Sequence, residues 1–372
     1  MTATATLAQK RALVHPWLDF WLLGGLSYFC LGLMWVVTDI FKLDLKYEVP
    51  WWAFYAAFVV NYPHFAYSYQ LFYKNFTGRL FGVETEPASR IRLAVAGIVV
   101  PMLMIGYFAY VGLAKDPDLL GHGVSAMLFF VGWHYVKQGY GVLITASLYR
   151  SIFYSLWQKR ILYVNAYAVW IYAWVKANIS FSKNIYFDVA HFSLDLPDSW
   201  QMVSGWAALL TTAASAFVLL WVWLKEKKGF SLSGFVGYTS ASYFWILLPQ
   251  VHPLFFYFIP LFHSLQYLVF VYKFKKSEFQ SKAAVAEDAR ADKRHYLLML
   301  LLFIAGGVVL GGLMMDWLPK LIDRHYSFAN VAFSRSYFLV TFLLFINIHH
   351  FFIDSAFWRR DNRDVQQYLF RA

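Results

Sequence analysis

The feature that most constrains this chain is the recurrence of apolar runs about as long as a bilayer is thick. A helix needs roughly 20 predominantly apolar residues to cross the hydrocarbon core. Ten stretches meet or approach that length: 17–38, 51–73, 93–113, 124–148, 161–180, 201–224, 234–250, 254–272, 297–317 and 336–358. Lipid offers no partner to backbone N–H and C=O groups, so runs of this kind cross it as helices whose bonds close internally. The expected fold is all-α, a polytopic transmembrane helix bundle of about ten spans, with 1–372 forming a single domain. Between the seventh and eighth runs lies Gln250-Val251-His252-Pro253, with Pro249 and Pro260 nearby. Prolines around a short polar step favour a tight re-entry over one continuous helix.

Composition supports the same class. Hydrophobic residues make up 60% of the chain and charged ones 14%, against about 25% charged in soluble domains. Aromatics reach 21%, and Trp and Tyr suit the two membrane interfaces. The single cysteine, Cys30, lies in an apolar run, which excludes disulfide frameworks and thiolate metal sites. Residues 1–15 are polar and carry Lys10 and Arg11. The run that follows is too long for a signal-peptide core and lacks a small-x-small cleavage site, so it reads as a retained first helix. No phosphate loop, dinucleotide fingerprint or nucleophile elbow occurs.

The net charge of +11 is not spread evenly. With the N-terminus inside, alternate segments collect Lys10 and Arg11, then Lys74, Arg79, Arg90 and Arg92, then Arg150, Lys159 and Arg160, then Lys225, Lys227 and Lys228. The next holds seven Lys and Arg between 273 and 295, and the last Arg359, Arg360, Arg363 and Arg371. An odd number of spans breaks this alternation, so the positive-inside rule predicts ten, with both termini cytoplasmic. The basic excess therefore points to topology and anionic lipid, and away from nucleic acid. Residues 273–295 are expected to be a cytoplasmic charged loop or surface helix, 359–372 a basic C-terminal tail, and 181–200 and 318–335 outer loops. We expect an integral protein of the bacterial inner (plasma) membrane.

Eleven histidines are present. His15, His122, His191, His252, His295 and His325 fall in loops or at span edges, where a solvated or interfacial role is expected. The other five do not. His64, in Asn61-Tyr-Pro-His-Phe, His134, in Gly132-Trp-His-Tyr-Val-Lys-Gln, His263, in Phe262-His-Ser-Leu-Gln-Tyr, and the adjacent His349 and His350 lie deep inside the second, fourth, eighth and tenth runs. Those four helices run in the same direction, so their imidazoles arrive at a similar depth. Polar groups there are costly unless they face the bundle interior and find partners. Neutral imidazole is the commonest metal ligand, and several rings at one level can close a shell around one ion. Without thiolates, an all-nitrogen or nitrogen-plus-water site is expected, open to iron, copper or zinc. Non-haem iron is preferred because open positions on it support oxygen chemistry. Interhelical hydrogen bonding without metal and bis-histidine haem are the alternatives.

Helical spacing places possible supporting groups one turn on: Gln138 after His134, Tyr267 after His263, and Asp354 after His350. A ligating imidazole gives its other N–H to a carboxylate, amide or carbonyl, and Asp354 is the best such orienter. Its other reading is a residue near the cytoplasmic end that pairs with Arg359. Lys137 lies in the middle of its span. Its functional readings are a counter-ion for a polar group of the substrate or a partner for Asp354.

Taken in order, Pro63-His64, His134, His263-Ser264-Leu265-Gln266-Tyr267 and His349-His350 with Asp354 resemble the Brp/Blh family of integral-membrane β-carotene dioxygenases. The resemblance covers short segments on four helices. It implies a histidine-held non-haem iron in the membrane that activates dioxygen against an apolar isoprenoid or other lipid. It also implies His64, His134 and His263 as ligands. Where that family has a second histidine in its His-Ser-x-x-His motif, this chain has Tyr267. Either His349 or His350 then completes the shell or the site has fewer ligands, and Tyr267 binds the metal or donates to a bound oxygen species. The leading expectation is a membrane-embedded metal-dependent oxygenase or hydroxylase whose electron donor, if one is needed, the sequence does not identify. A transporter or proton-coupled carrier using the same His and Lys residues, or a non-catalytic subunit of a membrane complex, is the alternative.

Overall fold

The computed structural model describes residues 12–82, 85–180, 183–186, 189–225, 230–250, 254–283, 289–326, 333 and 337–370. Among these, ten main helices follow one another: α1 (Pro16–Ile40), α2 (48–73), α3 (Pro87–Ala114), α4 (Pro117–Tyr149), α5 (Leu156–Ser180), α6 (Asp198–Lys225), α7 (232–247), α8 (Phe255–Ala283), α9 (289–325) and α10 (Tyr337–Phe357). A two-stranded antiparallel hairpin, β1 (Lys183–Tyr186) with β2 (Val189–Phe192), interrupts the all-helical pattern between α5 and α6. Seven of the helices, α1, α3, α4, α6, α8, α9 and α10, are long and apolar enough to cross a bilayer. Their outer faces carry exposed Leu, Phe, Trp and Val side chains, a surface that water would not tolerate at this density. This is the build of an integral membrane protein. The other three are less apolar: α2 carries Asn61, Pro63 and His64, α5 carries Gln158, Lys159, Arg160 and Asn165, and α7 is short and broken.

Proline shapes several of these helices. A π-helical turn ends two residues before Pro63 in α2 (Ala57–Asn61), before Pro101 in α3 (Val95–Val99) and before Pro319 in α9 (Leu313–Trp317). Proline lacks an N–H and its ring crowds the preceding turn; widening that turn by one residue keeps the helix continuous. In α2 the widened turn ends three residues before His64.

The helix α4 is the hub of the bundle and packs against α5, α7 and α10. Its contact with α7 is close because both sides are small. A Cβ on Gly139 would stand 2.5 Å from the Cβ of Ala241, and one on Gly237 would stand 2.6 Å from Val142. Lipid tails are as apolar as leucine, so such close packing rather than the hydrophobic effect holds membrane helices together. On the opposite side α2 lies against α9 and α10, and α8 fills the space beside α1, α2 and α9.

Two expectations change. The segment 273–295 is not a separate surface helix in its described parts, because α8 continues unbroken to Ala283, eleven residues past its expected end. Its Lys275 and Glu278 are buried; residues 284–288 lie outside the described chain. Likewise α9 runs on to His325 into the expected outer loop 318–335, and Asp323 there accepts the backbone N–H groups of Phe338 and Leu339 at 2.9 and 2.8 Å. A carboxylate at a helix start satisfies N–H groups that the helix itself leaves free, which is why α10 begins here. The basic tail folds back: Val365 and Leu369 are buried, and the Tyr149 hydroxyl donates to the Leu369 carbonyl.

Candidate metal centre

Four of the five mid-span histidines converge. The ring of His64 on α2 lies 4.5 Å from that of His350 on α10 and 5.1 Å from that of His263 on α8, centroid to centroid. The ring of His134 on α4 lies 4.8 Å from His263 and 4.9 Å from His350. All four are at most 5% exposed. The walls around them are aromatic: Phe351 stacks on His134 at 4.8 Å, Tyr135 meets His263 at 4.6 Å, and Phe65 meets His350 at 4.9 Å.

The local chain around each ring decides which nitrogen faces inward. His64 Nδ1 lies 2.8 Å from the carbonyl oxygen of Asn61. A carbonyl only accepts, so Nδ1 carries the hydrogen. Ser264 Oγ, which donates to Asn61 Oδ1 at 2.8 Å, sits 3.0 Å from the same Nδ1. The Nε2 of His64 is therefore the lone-pair nitrogen turned to the centre, 3.0 Å from His350 Nε2. Two imidazoles bound to one ion at about 2.0–2.1 Å place their nitrogens about 3 Å apart, so this separation suits a shared metal.

The remaining ring nitrogens test that fit. Nε2 of His134, both nitrogens of His263 and Nδ1 of His350 are buried with no hydrogen-bond partner. Buried polar atoms are nearly always paired, and a group of orphans at one place calls for an explanation. A metal ion supplies one for the nitrogen it takes from each ring, since a neutral imidazole offers an ion one lone pair. Donor atoms of His64, His263 and His350 lie within 4.8 Å of one another, as do those of His134, His350 and Asp354. This buried group could hold a metal ion, and its donors accept iron, copper or zinc alike.

No family model, no curated protein and no solved structure matches this chain.

The other predicted residues fall as follows. His349 is turned away from the four rings: its Nδ1 lies 2.8 Å from the Tyr69 hydroxyl, and its Nε2 lies 3.0 Å from the Ala96 carbonyl and 3.3 Å from the Tyr73 hydroxyl. Asp354 Oδ2 stands 3.5 Å from His350 Nε2. The Tyr267 ring lies 5.2 Å from His64 and 6.0 Å from His350, and its hydroxyl accepts from Ser68 at 2.6 Å and donates to Asp354 Oδ1 at 3.4 Å. Gln138 donates to the His263 carbonyl at 3.1 Å and to Gln266 Oε1 at 2.9 Å. Lys137 donates to Ser355, the residue after Asp354, and its Nζ lies 4.4 Å over the Trp133 ring.

Several contributors carried too weak a signal to be singled out. Asn61 and Ser264 orient His64 from two different helices, and Ser68 links Tyr267 to the back of the site. Each is one turn or less from a mid-span histidine, which was the available clue. Of the edge histidines, His15 accepts from the Trp17 N–H at 3.4 Å, and His325 donates to the Leu321 carbonyl at 2.9 Å. His252 and the side chain of His191 lie outside the described residues.

Proposed function

We propose that this protein is a membrane-embedded, metal-dependent oxygenase or hydroxylase acting on an apolar lipid or isoprenoid. His64, His134, His263 and His350 hold a non-haem iron, and Asp354 lies within reach as an orienter or a further ligand. The observation that carries the reading is the meeting of four buried imidazoles from four helices, three of which keep ring nitrogens with no hydrogen-bond partner. When bound there, a histidine-held iron with open positions supplies dioxygen activation. The close spacing of the rings supports non-haem iron over haem, since a macrocycle needs a free slab between its axial ligands. The resemblance of the four motifs to the Brp/Blh dioxygenases supports the same chemistry, while Tyr267 in place of a histidine argues for a substrate other than carotene.

The chain's own groups have separable tasks in this reading. Phe65, Tyr135, Trp245 and Phe351, all under 9% exposed, exclude water and hold an apolar chain by contact area. The Tyr267 hydroxyl, held between Ser68 and Asp354, is a proton donor beside the rings. Lys137, outside the ring cluster, steadies the turn of α10 that carries Asp354 and Ser355. All ten helices span the bilayer, both ends are cytoplasmic, and the substrate enters sideways from the lipid.

Incubation of iron-loaded protein with a membrane lipid extract, a reductant and ¹⁸O₂ tests the assignment. The expected result is ¹⁸O in a lipid product by mass spectrometry, absent with His263→Ala. Iron-loaded wild type that incorporates no label contradicts it.

A further inference from the structure

Some way from the histidines, a carboxylate sits beneath three ammonium groups. Glu278 on α8 is 1% exposed, yet Lys74, Lys275 and Lys282 all bond to it. Lys275 approaches Oε2 at 3.0 Å and is itself buried, with its Nζ 4.6 Å from the face of Phe303. Lys74 and Lys282 both bond to Oε1, the latter at 3.0 Å, and their side chains are 50% and 59% exposed. One negative charge among three positive ones leaves an excess of two, and the exposed pair presents it outward. Because both reach the same oxygen, their nitrogens converge on one point.

Position gives this pair a partner. Lys74 immediately follows α2, and Lys282 closes the exposed end of α8, on the face that the positive-inside pattern assigns to the cytoplasm. The Phe279–Tyr296 ring contact at 5.9 Å brings the start of α9 alongside. From there α9 presents Leu297, Leu298, Leu301 and Leu302 outward, each 47–62% exposed. A cationic clamp therefore stands beside a helix apolar enough to cross the bilayer, whose far face carries those leucines. Basic pockets between membrane helices on this side take anionic headgroups.

We propose that Lys74 and Lys282, held by buried Glu278, form a binding site for one anionic phospholipid, its phosphate on the two ammonium groups. Glu278 acts as the pivot that preorganises the pair, so that binding costs little side-chain ordering.

The test uses the full chain, purified in detergent and titrated with phosphatidylglycerol or phosphatidylcholine under native mass spectrometry. One phosphatidylglycerol should be retained in preference to phosphatidylcholine. With Lys74→Gln/Lys282→Gln its affinity should fall by an order of magnitude or more, at about fivefold per lysine. Arg360→Gln/Arg363→Gln, which removes the same charge from the C-terminal segment, should leave retention unchanged. Should the lysine double variant fail to fold, Lys74→Gln alone, at an exposed helix end, carries the same expectation at one step. Equal retention of both lipids, equal loss in the arginine control, or displacement by millimolar inorganic phosphate would overturn the proposal; the last would make the site one for soluble phosphate.

Discussion

At the scale of single residues, the tenth helix shows what adjacency means. His349 and His350 are consecutive, and consecutive side chains on a helix point about 100° apart. Only one can face the other three rings, and sequence position does not say which, because the rotation of α10 is set by its neighbours. In the structure, Tyr69, Tyr73 and the Ala96 carbonyl take His349, leaving His350 0% exposed among the rings. The two substitutions should therefore separate. His350→Ala should abolish stoichiometric metal binding. His349→Phe should keep the metal but lower the thermal unfolding midpoint, since it strands buried partners at about 1–3 kcal/mol. Metal analysis beside detergent-phase melting curves reads both, and metal loss in His349→Phe with metal kept in His350→Ala would reverse the assignment. The four converging histidines were legible because polar groups deep in apolar runs are rare and conspicuous. The orienting roles of Asn61 and Ser264 were not, since they depend on contact between α2 and α8.

At the scale of helices, glycines fix how near the site-bearing elements come. On α9, a Cβ at Gly307 would stand 2.0 Å from the Tyr67 ring, and one at Gly311 would stand 2.5 Å from the backbone of Tyr62, two residues before His64. A backbone neighbour cannot rotate aside. Gly311→Ala should destabilise the protein by about 1–3 kcal/mol, the usual cost of overpacking, and weaken metal binding by displacing α2. Gly32→Ala, where an added Cβ meets nothing within 4 Å, should do neither; equal melting temperatures for the two variants would refute the seam. Element types were readable from run length and hydropathy, but the ends of α8 and α9 were not. Residues 273–283 are rich in Lys, which reads as a solvated face, yet Lys74 arriving from α2 joins Lys275 in supplying the charge that lets Glu278 be buried. That is information held 204 residues away.

At the scale of the whole molecule, the bundle explains why its interior can carry imidazoles. Helices α2, α4, α8 and α10 deliver one ring each, and the lipid-facing surface is left to Leu, Phe and Trp. Neutralising or removing a single ring leaves the other orphaned nitrogens facing one another without water. Such a cluster is costly as a hydrogen-bonding device, because four of its eight ring nitrogens have no hydrogen-bond partner. It becomes favourable when an ion occupies the centre. The direct measurement is metal content per chain of detergent-purified protein, by inductively coupled plasma mass spectrometry, for wild type and for His64→Ala/His263→Ala with helicity checked by circular dichroism. One transition-metal ion per wild-type chain, lost from a folded double variant, is the predicted result; a folded wild type that binds no metal even after incubation with ferrous iron, or a double variant that keeps its ion, contradicts the account.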